Sequence, residues 1–444
     1  GGGFQAVVGN PPYLNVDSVW GKNDPRLAYI KSAYSSIHTD KTDILFYFLK
    51  RSVDICQGEV GMIVSRSFLE ADKAQHLREW LSTNSRVREV LDFRQAHVFP
   101  KVGINTAIVR FTKSKHTKQA RFRRYLHRDL PPDFTADTLR DSGEVSEVLM
   151  PMSELGRSAW NFGEADVRTL MAKIDSAGTQ AGSILHIGKG METGANKAFS
   201  FEPGEKRVAE LVQARQLYRR ARNSDIRPYR IAEAGPRTLY VEDSTAFGQL
   251  PADVRAHLSS HRTTLESRAA YQRGDCLWWK FTWPLHKEFF DRPRIICPYR
   301  ASWNRFALDE QRKFLGLTDT TVLYENGQPE DLRYILALLN SRTLTARFRF
   351  IGKLIGGGNY EYYENTVRKL PIPRRSAGDA DHDQIVELVK KIEAATEARD
   401  STIVTSEIAE LDQEIASTHA SIESEVQKLF DLSDDEKELL EAQL

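Results

Sequence analysis

The chain has 444 residues, of which 41% are hydrophobic and 28% charged, so it can bury a core and is long enough for two or three domains. No apolar run approaches the roughly 18 residues that a membrane-spanning helix needs. The three cysteines lie far apart and form no Cys-x-x-Cys pair, which argues against a disulfide framework and against a zinc site. A reducing cytoplasm fits this composition.

The net charge of +1 conceals an uneven distribution along the chain. Residues 376–444 hold 19 acidic against 5 basic residues, a balance of −14, and residues 1–375 hold 57 basic against 42 acidic residues, a balance of +15. An excess of basic charge suits a polyanionic partner, because neutralising phosphates releases counterions. A basic surface that is merely solvated is the alternative.

The first 130 residues alternate strand-like and helix-like patterns. Phe4–Val8 is a short apolar run that ends at Gly9 and predicts a buried strand leading into a loop. Apolar residues at helical spacing predict helices at Asp43–Ile55 and Ala71–Leu81. Short β-rich runs predict further strands at Gly61–Ser65, Val87–Phe93 and Asn105–Phe111. This order predicts a mostly parallel, twisted sheet with helices on both faces, an α/β Rossmann-like fold over residues 1–130.

The composition changes after residue 130. Residues 131–182 begin with two prolines, are mixed in character, and are predicted to link two domains. Residues 183–375 are rich in aromatic residues, Arg and Gly, and predict a second domain of α+β class. In residues 376–444 apolar residues recur at steps of three, four and seven, which predicts a helical hairpin or a short coiled coil as an acidic tail.

The tetrapeptide Asn10-Pro11-Pro12-Tyr13, directly after the first predicted strand, is the most informative motif of the chain. An exocyclic amine is a poor nucleophile because its lone pair is delocalised into the ring. The Asn10 side-chain oxygen and the Pro11 carbonyl can accept its two N–H groups, and the prolines stiffen the loop. Tyr13 offers a flat face on which a flipped base can stack. A proline-rich turn with Tyr13 packed on the surface is the alternative.

Further segments follow this motif in an order that resembles the gamma-type adenine-N6 DNA methyltransferases of restriction-modification systems, including the TaqI-like group. Asp43–Phe48 resembles the helix after the catalytic loop, and Gly58–Ser65 resembles the next turn and strand, with an altered turn. Val98–Lys101 and Asn105–Phe111 resemble the aromatic loop and the last strand pair. The resemblance implies a base-flipping, S-adenosyl-L-methionine-dependent enzyme of a bacterial or archaeal restriction-modification or phage-defence system, acting on adenine in double-stranded DNA.

The resemblance also assigns roles to single residues. It implies that Phe99 stacks on the extruded adenine opposite Tyr13, and that Asn10 and Phe48 contact the cofactor, with Phe48 against its adenine. Without the resemblance, core packing is the better interpretation of both phenylalanines. Lys101 can contact the base or a phosphate, and a solvated lysine is the alternative.

Residues 183–375 resemble the carboxy-terminal specificity domain of the same family. The similar segments are Ile187–Phe199, Leu338–Ser341 and Lys369–Pro373. Mixed aromatic and basic residues in this domain suit a DNA cleft. The predicted DNA contacts are Arg219, Arg220, Arg222, Trp303 and Arg305. A solvated face is the alternative for the arginine cluster, and core packing is the alternative for the aromatic residues.

In the family, a Gly-rich loop for the methionine part of the cofactor and an acidic residue for its ribose precede the catalytic motif. The residues before Asn10 suffice for one strand only, so we expect both features on an amino-terminal portion or on a partner. Gly356-Gly357-Gly358-Asn359 follows no clean apolar strand and is interpreted as a flexible loop or one of close backbone approach.

Two other functions use some of the same features. A non-catalytic DNA-recognition subunit of a restriction or phage-defence complex needs no cofactor loop, and its acidic helical tail could dock other subunits. Methylation of protein glutamine or of RNA uses similar chemistry, but the large domain after residue 180 argues against it. The recognised DNA sequence cannot be derived, because base-reading side chains follow no transferable code.

Overall fold

A computed structural model describes residues 3–444 except 22, 41, 95, 97, 100–102, 115, 117, 128, 136, 141–142, 161–164, 212–215, 243, 284–289 and 328–330. The chain divides into two compact units. The first unit comprises Gly1–Arg168 and Arg349–Tyr360, and the second comprises Thr169–Phe348 and Glu361–Leu444. These bounds differ from the expected ones at residues 130, 182 and 375. Within the described ranges, no helix is both long enough and apolar enough to cross a membrane.

The first unit is built on a six-stranded sheet. Its strands are β1 (Phe4–Gly9), β2 (Cys56–Ser65), β3 (Arg86–Asp92), β4 (Thr106–Thr112), β5 (Gln119–Tyr125) and β6 (Val145–Pro151). Its helices are α1 (Val16–Trp20), α2 (Pro25–Ala33), α3 (Ile44–Ile55), α4 (Ser67–Glu70) and α5 (Gln75–Asn84). The strand order is β1-β2-β4-β3-β5-β6, in which β1, β2, β3 and β5 run in one direction and β4 and β6 in the other.

The strand β1 lies at the edge of this sheet and, within the described residues, pairs with β2 alone. Phe4 and Val8 are 63% and 84% exposed, so the prediction of a buried strand is wrong. An apolar run indicates that a strand can pack, but it does not indicate whether a neighbour covers it. The parallel register sets Val8 opposite Gly61 and Gly9 opposite Met62, which brings the loop after Gly9 to the carboxyl end of β2.

The two faces of the sheet differ in chemistry. One face forms an apolar core with side chains from all five helices α1 to α5. The opposite face is mixed. There the Glu89 carboxylate accepts hydrogen bonds from Arg110 at 3.1 Å and Arg123 at 3.3 Å, and a smaller apolar cluster includes Leu91 and Tyr125. Within the described residues the helices α1 to α5 all contribute to the first core, so the prediction of helices on both faces is met on one face, and chain segments after β3 and β5 cover the smaller cluster.

The helix α3 shows how local sequence fixes an element. It begins after Asp43, whose carboxylate accepts the Leu45 amide at 3.0 Å, and it buries Leu45, Leu49 and Val53 at helical spacing. The helix predicted over Asp43–Ile55 is confirmed. The three strands predicted after it are also confirmed, although β2 begins earlier than predicted, at Cys56.

Residues 131–182 were expected to link two domains, but part of this segment belongs to the first sheet. The strand β6 pairs antiparallel with β5, with Tyr125 opposite Val145. Trp160 is 2% exposed, its amide donates to the Leu69 carbonyl at 2.8 Å, and its ring meets the Phe68 ring edge-on at 5.8 Å. The first unit therefore extends well beyond residue 130, because a strand partner far along the chain leaves no local signal.

The remainder of the chain forms short strands and helices. The strands are β7 (Thr179–Gln180), β8 (Leu185–Lys189), β9 (Ser200–Phe201), β10 (Leu217–Ala221), β11 (Ile226–Arg227), β12 (Arg230–Ile231), β13 (Arg237–Leu239), β14 (Arg294–Pro298), β15 (Arg300–Ala301), β16 (Ala307–Asp309), β17 (Phe314–Gly316), β18 (Thr320–Glu325), β19 (Lys353–Leu354), β20 (Tyr360–Glu361) and β21 (Pro371–Ile372). The helices are α6 (Ala165–Ser176), α7 (Ala181–Ile184), α8 (Asn196–Phe199), α9 (Lys206–Leu211), α10 (Ala252–Ser260), α11 (Arg262–Glu266), α12 (Ala269–Gln272), α13 (Leu332–Asn340), α14 (Arg342–Ile351), α15 (Glu364–Val367), α16 (Ala380–Ser401), α17 (Thr405–Leu429) and α18 (Asp434–Glu441).

Two four-stranded sheets lie in the second unit, with orders β17-β10-β13-β9 and β16-β14-β18-β8. The side chains of Arg294 and Asp309 are 1% and 2% exposed and form an ion pair of 2.7 Å between β14 and β16. The buried Asn304 amide donates to the Leu339 carbonyl at 2.7 Å and accepts the Tyr362 hydroxyl at 2.8 Å. These pairings satisfy polar groups that would otherwise be costly to bury.

The acidic tail belongs to the second unit. The helices α16 and α17 pack together as the predicted hairpin, and α16 also packs against α13. Carboxylates of the tail pair with arginines of the same unit: Glu393 with Arg333 at 2.8 Å, and Asp400 with Arg227 at 3.4 Å. The predicted acidic tail is therefore part of a larger fold.

Candidate active site

The loop Asn10-Pro11-Pro12-Tyr13 lies at the carboxyl end of β1. Pro11 is buried, whereas Asn10 and Pro12 are exposed. The Tyr13 hydroxyl shares its hydrogen between the Asn10 side-chain oxygen at 3.0 Å and the Ile63 carbonyl of β2 at 3.1 Å. The hydroxyl thus ties the loop to itself and to the neighbouring strand.

The amide of Asn10 keeps acceptor capacity for a ligand. An amide oxygen has two lone-pair positions, so the bond from Tyr13 leaves room for a second donor. The ring of Pro11 fixes its own φ angle and Pro12 restricts the ψ angle of Pro11, and together they limit where the Pro11 carbonyl lies. The role of the Asn10 oxygen and the Pro11 carbonyl as two acceptors for an exocyclic amine stays a prediction.

The other end of the loop is held by the start of α3. The Ile44 amide donates to the Leu14 carbonyl at 2.9 Å. Burial raises the pKa of the Tyr13 hydroxyl, and the charge of Asp43 raises it further. Tyr13 therefore stays neutral at physiological pH and remains a hydrogen-bond donor to Asn10.

A cavity of about 610 Å³ opens beside α1, α2 and α3. Mostly aromatic and aliphatic side chains and two arginines line it: Trp20, Pro25, Arg26, Tyr29, Ile30, Tyr34, Ile44, Tyr47, Phe48 and Arg51. Phe48 is 44% exposed, so its ring is not buried in the core. Burial raises the pKa of Tyr47 to about 12, so this hydroxyl is uncharged at neutral pH, and the charge at the cavity wall comes from the two arginines. Flat apolar walls of this kind suit a planar ring such as a nucleobase.

The second predicted base-stacking residue, Phe99, lies in the chain between β3 and β4 and is half-buried. Among the described residues, Phe99 and Tyr13 make no ring contact with each other. The role implied for Phe99 stays a prediction, and Lys101 of the same loop lies outside the described residues.

Sequence reasoning missed a buried ionic cluster at the carboxyl ends of β2 and β3. Arg66, which directly follows β2, is 7% exposed and contacts the carboxylates of Asp92 and Glu70. Asp92 ends β3 and is 1% exposed. An i,i+4 spacing of Arg66 and Glu70 is common on any helix, and Asp92 is 26 residues away in sequence, so no local pattern reveals the cluster.

The predicted phosphate-contact patch on and after β10 is already paired within its own unit. Arg219 contacts Glu233 at 2.6 Å, and Arg220 contacts Asp319 at 3.1 Å. Arg222 contacts two carboxylates, those of Glu202 at 2.8 Å and Asp225 at 3.0 Å. Their role as DNA contacts stays a prediction, and it now requires that phosphates replace these carboxylates.

Trp303 and Arg305, the other predicted DNA contacts, lie beside the helical part of the second unit. The Arg342 guanidinium lies over the Trp303 ring at 5.6 Å. Arg305 donates to the Ile226 carbonyl at 3.2 Å, and burial lowers the pKa of its guanidinium. The packing alternative thus has direct contacts in its favour, and the DNA-binding role of both residues stays a prediction.

The glycine run Gly356-Gly357-Gly358 forms a short turn whose backbone is not helical at Gly357. Gly357 and Gly358 have positive φ angles of 75° and 74°, which explains why glycine occupies both positions. The Ile355 amide donates to the Asn359 carbonyl at 2.7 Å and closes the turn. The run therefore serves as a tight turn, in line with its interpretation as a loop.

Part of this chain is similar in sequence to a known family of proteins. Residues 1–99 match the family described as Eco57I restriction-modification methylase, a range that includes the Asn10–Tyr13 loop, Phe48 and Phe99. The chain is 21% identical over 427 residues to the Type II restriction enzyme and methyltransferase RM.Eco57I of Escherichia coli, which covers 86% of this chain and 41% of that protein. It is 20% identical over 389 residues to the Type II methyltransferase M.BstVI of Geobacillus stearothermophilus, covering 83% of this chain and 67% of that protein.

Among solved structures, the fold is similar to that of the Type IIL restriction-modification enzyme MmeI in complex with DNA. The TM-score is 0.67 at 13% sequence identity, over 99% of this chain and 56% of that chain. The chain thus spans less than half of the Escherichia coli relative and just over half of the MmeI chain. These relatives are restriction-modification enzymes and methyltransferases, and the structural likeness extends over both units of this chain.

Proposed function

We propose that this chain is the catalytic and target-recognition portion of a site-specific DNA methyltransferase that modifies adenine at N6, with S-adenosyl-L-methionine as the methyl donor. The observation that carries the proposal is the exposed Asn10 amide, oriented by the Tyr13 hydroxyl at the carboxyl end of β1. The first unit performs the transfer, and the second unit reads the target sequence. The match of residues 1–99 to a restriction-modification methylase family lies within the first unit, which supports placing the transfer there.

In this mechanism the chain's own residues prepare the amine for attack. The Asn10 side-chain oxygen and the Pro11 carbonyl accept its two N–H groups, so that the nitrogen lone pair leaves conjugation with the ring. Because the prolines and the Tyr13 bonds hold these acceptors in place beforehand, little reorganisation accompanies the transfer. Tyr13 and Phe99 stack on the two faces of the extruded base, which offsets part of the cost of unstacking it.

The cavity beside Phe48 fits the adenine moiety of the cofactor. Cavities of roughly 300–1,000 Å³ hold small molecules and cofactors, and about 610 Å³ lies within that range. The half-exposed Phe48 ring provides a stacking surface, and Asn10 is assigned to the methyl-donor side of the site. When bound, the cofactor supplies a methyl group on a sulfonium.

Double-stranded DNA is the proposed substrate and partner. The excess of 57 basic over 42 acidic residues before residue 376 supports a polyanionic partner. The likeness over both units to a restriction-modification enzyme that was solved with DNA also supports it.

The test is methyl transfer from radiolabelled S-adenosyl-L-methionine to unmodified DNA by the longest native polypeptide that contains this chain. Asn10→Ala removes the proposed acceptor. Asn15→Ala is the matched control, because Asn15 lies in the same stretch but caps α1 by accepting the Ser18 amide at 3.1 Å. Both variants lose one asparagine side chain, and DNA binding is measured for each by titration.

We expect label in N6-methyladenine with the native protein and with Asn15→Ala, and at least a hundredfold less with Asn10→Ala, on the order of the loss of one essential transition-state contact. Comparable label with Asn10→Ala would contradict the role of Asn10. Sequence-selective DNA binding without label by the native protein would instead favour a non-catalytic recognition subunit.

A further inference from the structure

The carboxyl end of β2 is connected to both loops on which the proposed function depends. The Ile63 carbonyl of β2 accepts the Tyr13 hydroxyl of the catalytic loop at 3.1 Å. Arg66, three residues later, is bonded to the chain segment that carries Phe99. All of these residues belong to the first unit.

Arg66 holds this segment at both ends. Its guanidinium donates to the two carboxylate oxygens of Asp92, from Nε at 2.9 Å and from Nη2 at 3.0 Å, where β3 ends. Its backbone amide donates to the Asn105 carbonyl at 3.0 Å, directly before β4 begins. Phe99 lies between these two attachment points. The pairing of β3 with β4 and the bond from the Phe93 amide to the Thr106 carbonyl at 3.2 Å also close this loop, so Arg66 braces ends that the sheet brings together.

Glu70 completes the cluster and keeps Arg66 in place. Its carboxylate accepts Nη2 of Arg66 at 2.6 Å and Nη1 at 3.1 Å, and its Oε2 also accepts the Leu354 amide at 3.3 Å. Burial alone would raise the pKa of Asp92, but the attraction of Arg66 outweighs it and lowers that pKa. The guanidinium is thus held between two carboxylates in a nearly dry environment, which restricts its position strongly.

The start of the loop is shaped by the same carboxylate. Asp92 Oδ1 also accepts the Arg94 amide at 2.8 Å. Arg94 has a φ angle of 51°, a left-handed conformation that a non-glycine residue rarely adopts without such support. The direction in which the chain leaves β3 toward Phe99 therefore depends on the pair of Arg66 and Asp92.

We propose that Arg66 is a positioning residue for the methyl transfer: by bracing Asp92 and Asn105 across the paired ends of β3 and β4, it fixes the direction in which the chain leaves β3 and so helps to place Phe99 relative to the Asn10–Tyr13 loop. This inference rests on the proposed function. Arg66 itself does not touch the base, and it acts through the loop that it holds. Its effect belongs to the placement of the extruded adenine and not to the overall binding of DNA.

The test compares Arg66→Lys with Arg78→Lys in the native polypeptide. Lysine keeps the charge but cannot reproduce the forked donor geometry that engages Asp92 and Glu70 together. Arg78 is a matched control, because it is 1% exposed in the same unit and donates to backbone carbonyls of Phe68, Ala71, Arg157 and Ser158. The loss of a buried arginine fork is therefore common to both variants.

Three readouts separate positioning from simple destabilisation. Amide hydrogen exchange of peptides that cover residues 93–105 reports how firmly the loop is held. The kcat and KM for a duplex that contains the mapped methylation site report transfer and binding separately. The fluorescence of 2-aminopurine in place of the target adenine reports extrusion and stacking of the base.

For Arg66→Lys we expect faster exchange in residues 93–105, a kcat lower by about tenfold to a hundredfold with KM within about twofold, and altered 2-aminopurine fluorescence on binding. Arg78→Lys should leave all three readouts near native values at a temperature where it is folded. Unchanged exchange in the loop, or equal losses of kcat in both variants, would overturn the proposal. If the native protein transfers no methyl group, the proposed function fails, and the exchange comparison still decides whether Arg66 holds the loop.

Discussion

Tyr13 combines two separable contributions at the candidate active site. Its hydroxyl orients the Asn10 amide and bonds to the Ile63 carbonyl, and its ring is the proposed stacking surface for the base. Tyr13→Phe removes only the hydroxyl, whereas Tyr13→Ala removes the ring as well. The two substitutions therefore measure orientation and stacking separately.

We expect Tyr13→Phe to lower kcat by about threefold to tenfold, which corresponds to one hydrogen bond of about 1 kcal/mol. Tyr13→Ala should lower it by a further factor of about ten to a hundred, because base–aromatic stacking contributes about 1–3 kcal/mol. Steady-state methylation of a duplex with the mapped site is the measurement. Equal losses in both variants would show that the ring does not stack on the base.

The sequence predicts the residues of this site unequally. Asn10 to Tyr13 form one contiguous motif, so their chemistry can be read from four adjacent letters. Arg66, Asp92 and Asn105 come together only because β2, β3 and β4 are neighbours in the sheet. A contact of this kind depends on strand order, and strand order is not contained in the composition of any single segment.

At the level of elements, local patterns predict what a segment becomes but not what surrounds it. The helix α3 carries its own start signal at Asp43 and its own apolar stripe, and both were readable in advance. The run Phe4–Val8 was correctly identified as a strand, yet its position at the sheet edge was not readable. The strand β6 was missed because its burial depends on pairing with β5.

The contribution of one local signal, the helix cap at Asp43, can be measured by substitution. The Asp43 carboxylate accepts the Leu45 amide at 3.0 Å. Burial raises the pKa of Asp43, so the ionised form is disfavoured here and the negative charge adds little to the stability of the helix start. Asparagine caps helices about as well as aspartate. We therefore expect Asp43→Ala to lower the free energy of unfolding by about 1 kcal/mol and Asp43→Asn to change it by only a few tenths.

Chemical denaturation of both variants checks this expectation. An equal loss in Asp43→Asn and Asp43→Ala would indicate that the carboxylate charge matters more than the cap. Because Asp43 lies next to the backbone bond that joins Leu14 to Ile44, the alanine variant should also weaken the attachment of the catalytic loop.

Over the whole molecule, the acidic charge of the tail is used in ion pairs within the second unit. The tail contributes a balance of −14, and several of its carboxylates pair with basic residues of its own unit. Glu393 contacts Arg333 at 2.8 Å, and Glu436 contacts Lys173 at 2.7 Å. Part of the basic excess counted from the sequence is therefore neutralised internally and does not face a partner. Docking of other subunits by the tail stays a prediction.

Glu423 shows most directly that the tail supports the second unit. This residue of α17 is 7% exposed and accepts the amides of Arg342 at 2.6 Å and Thr343 at 3.2 Å, and also the Thr343 hydroxyl at 2.8 Å. Amides at the first turn of a helix have no partner within the helix, so Glu423 caps α14 from another element. Glu423→Ala leaves these buried donors without their acceptor.

We expect Glu423→Ala to lower the free energy of unfolding by about 2 kcal/mol, the usual cost of losing hydrogen bonds to a buried charged group, and to speed amide exchange at Arg342 and Thr343. Glu425→Ala is the matched control on the same helix, since its carboxylate pairs with Lys428 at 2.7 Å near the surface. That variant should change stability by less than about 1 kcal/mol. If both variants behave alike in denaturation and exchange, Glu423 does not cap α14 in solution.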